Sequence, residues 1–96
     1  MSLPFELSTV RSVTFYKRDE LTTDLICCDV DVDHTDGVLT WFNHEEADDW
    51  INCIEAFETL PGFDTNWRSK VVQPPFAYCV TLAYLREGVE PAASKD

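Results

Sequence analysis

Three aspartates at alternate positions form a candidate set of metal-binding side chains in this 96-residue sequence. Asp29, Asp31 and Asp33 match the spacing of the first three ligands of an EF-hand calcium loop. The sixth position of that loop requires glycine and is His34, and the twelfth requires a bidentate glutamate and is Thr40. The spacing therefore argues against an EF-hand. It leaves the three aspartates as candidates for another cation site, with a solvated strand face as the simpler alternative.

The histidines do not complete a catalytic motif. His44 begins the string HEEAD, in which Asp48 replaces the second histidine of the zinc-binding HExxH pattern. In one hairpin register His44 would also face Cys28, as in an activated thiolate, but no third member is visible. The sequence has no GxSxG elbow, P-loop or dinucleotide fingerprint. We therefore expect a non-enzymatic protein without catalytic residues or a cofactor, and the alternative is a small metal-binding domain or enzyme that uses the aspartates or His44.

The four cysteines lack the CxxC spacing of zinc ribbons and thioredoxin-type sites. Cys53 and Cys79 lie within apolar patterns, which predicts that both are buried in the core. Cys27 and Cys28 are adjacent, and adjacent strand residues point to opposite faces. We therefore expect Cys28 to lie in the core and Cys27 to face outward beside the aspartates, as a candidate exposed thiol.

The chain is strongly acidic, with 7 Lys and Arg against 18 Asp and Glu and a formal net charge of -11. Such a surface repels nucleic-acid phosphates and anionic lipids, so neither nucleic acid nor a membrane is an expected partner. The simplest interpretation of the charge is solubility, and the more specific one is electrostatic attraction of a basic protein partner. The chain start does not resemble a secretory signal, and no apolar run approaches the roughly 20 residues of a membrane span. We expect a cytoplasmic protein.

Alternation of apolar and polar residues predicts three strands, at residues 9–18, 25–32 and 38–44. Asp36-Gly37 between the second and third strands predicts a hairpin. A three-residue loop would place Val30 opposite Phe42, whereas a four-residue loop would bring Trp41 and Leu39 to the inner side. The pattern is compatible with both registers, which differ in the face that every side chain of the third strand occupies.

A helix over residues 45–60 is predicted next, with Asn43 as N-cap and Glu46 as its capping-box partner. Its apolar stripe consists of Ala47, Trp50, Ile51, Ile54 and Phe57. A short turn over residues 64–70 follows, capped by Asp64 and anchored by Phe63 and Trp67. The last predicted strand covers residues 76–86.

These elements predict an α+β fold in the order β-β-β-α-β, an antiparallel sheet of about four strands with one amphipathic helix on a face. A small barrel closed by the helix uses similar elements and is the alternative. Residues 9–86 would form the single domain, with an N-terminal extension at 1–8 and a flexible tail at 87–96.

The aromatic residues suggest a binding surface. Trp41 and Tyr84 lie on predicted strands whose second face is not clearly covered, and Asp29 and Asp31 would lie beside them. We therefore expect these four residues to form a partner surface. The expected activity is that of an acidic interaction domain, such as an inhibitor or immunity-type protein, that binds a basic partner and self-associates as a dimer.

Several strings are similar to those of small uncharacterised bacterial proteins of the same length. They are DELTTDLIC, FNHEEADDW, LPGFDTNW and VVQPPFA. The similarity covers most of residues 13–86. The resemblance implies a cytoplasmic bacterial domain that stands alone, and it transfers neither an activity nor a site residue.

Overall fold

A computed structural model of the chain describes residues 3–20, 23–71 and 80–89. It contains a four-stranded antiparallel sheet with the strand order β3-β2-β1-β4. The strands are β1 (Val10–Glu20), β2 (Thr23–His34), β3 (Gly37–His44) and β4 (Val80–Leu85), and the helices are α1 (Trp50–Phe57) and α2 (Trp67–Val71). The predicted α+β class and element order are therefore confirmed. Within the described residues the sheet is open, with β3 and β4 as its edges, and no helix is long and apolar enough to span a membrane.

One face of the sheet, called the inner face below, is covered by the two helices. An aromatic cluster joins them to the sheet: the Phe15 ring stacks on Trp67 with 3.7 Å between centroids, and it meets the Trp50 ring edge-on at 6.1 Å. Phe63 packs edge-on against Phe15 from the segment between the helices. The prediction that Phe63 and Trp67 anchor the short turn is confirmed. Asp64 also accepts the backbone N–H of Asn66 at 2.9 Å, just before α2 begins.

Helix α1 is shorter than predicted: it begins at Trp50, and residues 45–49 form turns instead of the predicted start of the helix. The cause is a continuation of the sheet: the Glu45 N–H donates to the Ile26 carbonyl, and the Ile26 N–H donates to Glu45 Oε1, both at 3.0 Å. Asn43 is consequently not an N-cap. It is buried in the last part of β3, and its amide donates to Asp49 Oδ1 at 3.2 Å and to Cys53 Sγ at 3.6 Å.

The buried side of α1 also differs from the predicted stripe. Trp50, Cys53 and Phe57 are buried, whereas Ile51 is 63% exposed. These three positions follow the three- and four-residue spacing of one helix face, so Cys53 replaces Ile51 in the stripe. Cys53 is in the core, as its apolar pattern predicts, and Cys79 lies outside the described residues.

The β2–β3 hairpin adopts the register of the four-residue alternative. Val30 pairs with Trp41, and one further pair between His34 and Gly37 reduces the loop to two residues. Gly37 has φ 134°, a conformation that other residues rarely adopt and that closes this tight turn. The register places Trp41 on the inner face, where Phe5 meets its ring edge-on at 5.2 Å. The predicted N-terminal extension thus contributes Phe5 to the packing around the core.

Candidate protein-interaction surface

The sheet face opposite the helices, called the outer face below, carries an acidic row along β2. Cross-strand pairing places Asp29 between Thr14 of β1 and Phe42 of β3, and it places Asp31 between Ser12 and Thr40. Paired residues of antiparallel strands project to the same side of the sheet. The alternation that predicted a common face for the aspartates is therefore confirmed.

Asp33, the last aspartate of the row, is neutralised by two arginines. Arg11 Nη1 and Arg86 Nη2 each lie 2.9 Å from a different oxygen of its carboxylate. Arg11 reaches it because the β1–β2 register shifts between Val10 and Ser12. The hydrogen bond from Arg11, followed by that from Arg86, holds the pKa of the Asp33 carboxyl below its ordinary value of 3.8. Because two guanidinium groups compensate its charge, Asp33 is a weaker cation ligand than an unpaired carboxylate.

Asp29 and Asp31 have a different environment, because their described partners are neutral hydroxyl groups. Tyr16 donates to Asp29 Oδ1 at 3.2 Å, and Thr40 donates to Asp31 Oδ1 at 2.7 Å. No ion pair joins either carboxylate to a cation of the described part of the chain. The hydroxyls orient the two carboxylates without cancelling their charge.

Two apolar rows frame this acidic centre at the sheet edges. Val38 and Phe42 of β3 lie on one side and are 54% and 45% exposed. Val80 and Leu82 of β4 lie on the other side and are 55% and 45% exposed. Four large exposed apolar side chains on one sheet face are a feature of interaction surfaces, particularly when polar groups lie among them. We define the acidic centre (Asp29, Asp31) and these four residues together as the framed face.

The four residues predicted as a partner surface do not share one side of the sheet. Asp29 and Asp31 lie on the framed face, but Trp41 and Tyr84 belong to the inner face, and Tyr84 is buried. For Tyr84 the reason is a shift in the β1–β4 register, which makes Ala83 an extra inward residue and turns Tyr84 inward as well. The sequence shows Val80 and Leu82 as alternating apolar residues, but it does not reveal the bulge that separates them from Tyr84.

The cysteines do not form the Cys28–His44 pair considered from the sequence. Cys28 lies opposite Asn43 in the core, and it is Cys27 that lies opposite His44. Burial, with the Asp29 carboxylate as the next cause, raises the pKa of the Cys28 thiol well above its ordinary value of 9.0. Burial followed by Asp49 raises the pKa of Cys53 to about 11. These thiols are poor nucleophiles at neutral pH because little thiolate is present.

The burial of Cys27 differs from the prediction. Cys27 faces the outer side as predicted, yet it is completely buried, with half-buried Tyr16 and His44 as its cross-strand neighbours. His44 Nδ1 accepts the backbone N–H of Glu46 at 3.3 Å, which assigns the ring a role in the turn after β3.

Across residues 3–20, 23–71 and 80–89, no group of three or more His, Cys, Asp or Glu side chains is arranged to hold a metal ion.

The Asp33 ion pairs predict a pH effect. Because the folded-state pKa of Asp33 is lowered, its contribution to stability is present above about pH 4 and is lost as the pH falls through the folded-state value. Asp33→Asn is expected to melt at a lower temperature than the wild type at pH 7, with a smaller loss on acidification. Circular dichroism melts from about pH 3 to pH 7 would measure both differences. Asp36→Asn, an equivalent change at the exposed hairpin tip, is the control and should retain the wild-type profile; equal profiles for Asp33→Asn and wild type would contradict the ion pairs.

Comparisons with known proteins provide no relative from which a role could be transferred. No protein-family model matches the chain, and neither a curated protein nor a solved structure shows significant similarity.

Proposed function

We propose that this protein is a non-enzymatic binding domain that holds a basic protein partner on the framed face. The observation that supports the proposal is the position of Asp29 and Asp31, charged and unpaired with described cations, between two exposed apolar rows. An inhibitor or immunity-type protein that blocks a basic target is a concrete form of this activity. The resemblance to small bacterial proteins supports a role in a bacterial cytoplasm.

The chemistry of the framed face favours lysine or arginine from a partner. A cation placed against Asp29 or Asp31 would form a charge-assisted hydrogen bond with an acceptor that a hydroxyl already holds in place. The apolar rows would add burial around those contacts and exclude water from them. The net charge of -11 would accelerate encounter with a basic protein and repel acidic ones.

Selection of displayed random peptides against the wild-type protein tests the proposal even though the natural partner is unidentified. The selected peptides are expected to carry net positive charge. Their affinity is expected to fall about ten- to a hundred-fold for the double variant Asp29→Asn/Asp31→Asn, because two charge-assisted hydrogen bonds lose their anionic acceptors. Fluorescence anisotropy with labelled peptides measures the change, and affinity should also fall as salt is raised from about 50 to 500 mM.

Glu55→Gln/Glu58→Gln is the matched control, because it removes the same charge from exposed residues on and beside α1. The control variant should retain the selected peptides with almost wild-type affinity. Selected peptides without net positive charge, or an equal loss of affinity for both double variants, would contradict the framed face as the binding site.

Self-association, which the sequence also suggested, would use another surface. Two copies joined through the framed face would bring Asp29 and Asp31 close to the same acids of the partner copy. The backbone edge of β3 that faces away from β2 is a better candidate, because Gly37–His44 contains neither lysine nor proline to discourage strand pairing. Salt separates the two interactions: it screens repulsion between acidic copies and so strengthens a dimer, whereas it weakens binding of a basic partner. Sedimentation of the protein alone over the same salt series therefore accompanies the peptide measurements.

A further inference from the structure

The spacing of the framed face points to one shape of partner: we propose that its occupant is an α-helix with a cationic row that lies along β2. This inference rests on the proposed function, since it specifies the ligand of the same surface. It is carried by the width of the face between its apolar rows and by the separation of Asp29 and Asp31.

The width of the framed face matches one helix. Three inter-strand spacings separate β3 from β4, which amounts to about 14 Å at about 4.8 Å each. An α-helix with its side chains is about 10–12 Å across. A helix above β2 and β1 would therefore have Val38 and Phe42 on one flank and Val80 and Leu82 on the other. A single extended strand is narrower and would reach only one of these rows at a time.

The separation of Asp29 and Asp31 along β2 also matches a repeat distance of an α-helix. Asp29 and Asp31 are two residues apart on β2, a distance of about 6.8 Å along an extended strand. Helix residues four positions apart advance by about 6.0 Å and lie on nearly the same side. Lysine or arginine at such a spacing would meet both carboxylates at once. The acids of the face thus select a row of cations and not only a positive net charge.

A helix that satisfies both conditions has an unusual pattern, with cations in the middle of its binding side and apolar residues on both flanks. At about 100° per residue, lysines at i, i+4 and i+7 form the central row. Leucines at i+1 and i+8 then lie on one flank, and leucines at i+3 and i+10 lie on the other. An ordinary amphipathic helix with its cations on the solvent side would place leucine against Asp29 and Asp31, which would desolvate both carboxylates without a partner.

Three synthetic peptides of identical charge, of which the first two also have identical composition, test this inference. The first has the central cationic row and a helix-stabilising crosslink on its solvent side, because an isolated helix of this length is marginal in water. The second has the same crosslink with its lysines moved to the solvent side. The third has the order of the first but two prolines in the middle in place of the crosslink, which prevents a continuous helix. Anisotropy titrations with the full chain give their affinities.

The first peptide is expected to bind at least tenfold more tightly than the other two. Its affinity should decrease at least tenfold for Asp29→Asn/Asp31→Asn and severalfold for Phe42→Ala/Leu82→Ala, and it should be unchanged for Glu55→Gln/Glu58→Gln. If the second or third peptide binds as tightly as the first while Asp29 and Asp31 remain necessary, the helix inference is overturned and the proposed function stands. If no cationic peptide responds to the loss of Asp29 and Asp31, the proposed function is overturned together with it.

Discussion

Replacing Phe15 with alanine is expected to lower the free energy of unfolding by about 3–5 kcal/mol, the range for truncating a large aromatic core residue. The Phe15 side chain is fully buried at the centre of the aromatic cluster, stacked on Trp67 and edge-on to Trp50. It connects β1 to both helices at once, so its loss would leave a cavity that the helices could fill only by shifting toward the sheet. Urea denaturation followed by tryptophan fluorescence would measure the change.

Two further variants keep this prediction decisive. Phe15→Leu retains an apolar side chain and should reduce stability by about 1–2 kcal/mol, so a folded protein is available if the alanine variant is unfolded. Leu82→Ala is the control from the opposite face of the sheet, where the side chain is 45% exposed, and it should change stability by less than about 0.5 kcal/mol. Wild-type stability for Phe15→Ala would contradict the aromatic core. A loss for Leu82→Ala as large as that for Phe15→Leu would show that the framed face is covered in solution and unavailable to a partner.

Period-two alternation correctly predicted the faces of β2, since the direction of a strand side chain depends only on its position in the strand. Ile26, Cys28 and Val30 point to the core, and the aspartates point to the other side. The same rule failed in β4, because a bulge shifts the alternation by one residue before Tyr84. A bulge arises from the pairing of two strands and leaves no mark in the local pattern of either one.

The start of α1 was missed for a related reason. Asn43, Glu46 and the acidic residues that follow are sound local signals for a helix N-terminus. The two hydrogen bonds between Glu45 and Ile26 extend the sheet pairing beyond β3 and delay the helix to Trp50. A long-range contact thus outweighs a local preference, and the sequence near residue 45 does not indicate it.

The candidate site was predictable in its charge but not in its arrangement. That Asp29 and Asp31 would lie on an outer strand face followed from their spacing. That Asp33, unlike these two residues, has its charge paired did not follow from the spacing. Its ion pairs depend on Arg11 and Arg86, which lie in two other parts of the chain. The pairing of Asp33 leaves only two acids of the row uncompensated, and this restricts the proposed recognition to the centre of the sheet.

The cysteines provide the second large expected effect, because Cys27, Cys28 and Cys53 are each no more than 1% exposed. In a Cys79→Ser background, which removes the cysteine outside the described residues, alkylation of the native protein should be at least about a thousandfold slower than that of an unfolded chain. A buried thiol reacts only when the structure opens, and the open fraction of a stable domain is on the order of 10⁻³ or less. The raised pKa values of Cys28 and Cys53 slow the reaction further. Thiol-reactive dyes under native conditions and in urea would measure the rates.

Thr35→Cys in the same background is the control, since residue 35 is exposed at the hairpin tip and a thiol there should react at the rate of a free peptide. Mass spectrometry after brief labelling identifies the modified residue.

Cys27 is the informative thiol, because it lies on the outer face of β2, the face that also bears Asp29 and Asp31. Protection of Cys27 would mean that the outer face is closed beside Tyr16 and His44 and open only at the framed face. Labelling of Cys27 at the rate of the control would mean that the exposed surface extends along the whole of β2, and the match between the framed face and a single short helical segment would then lose its basis.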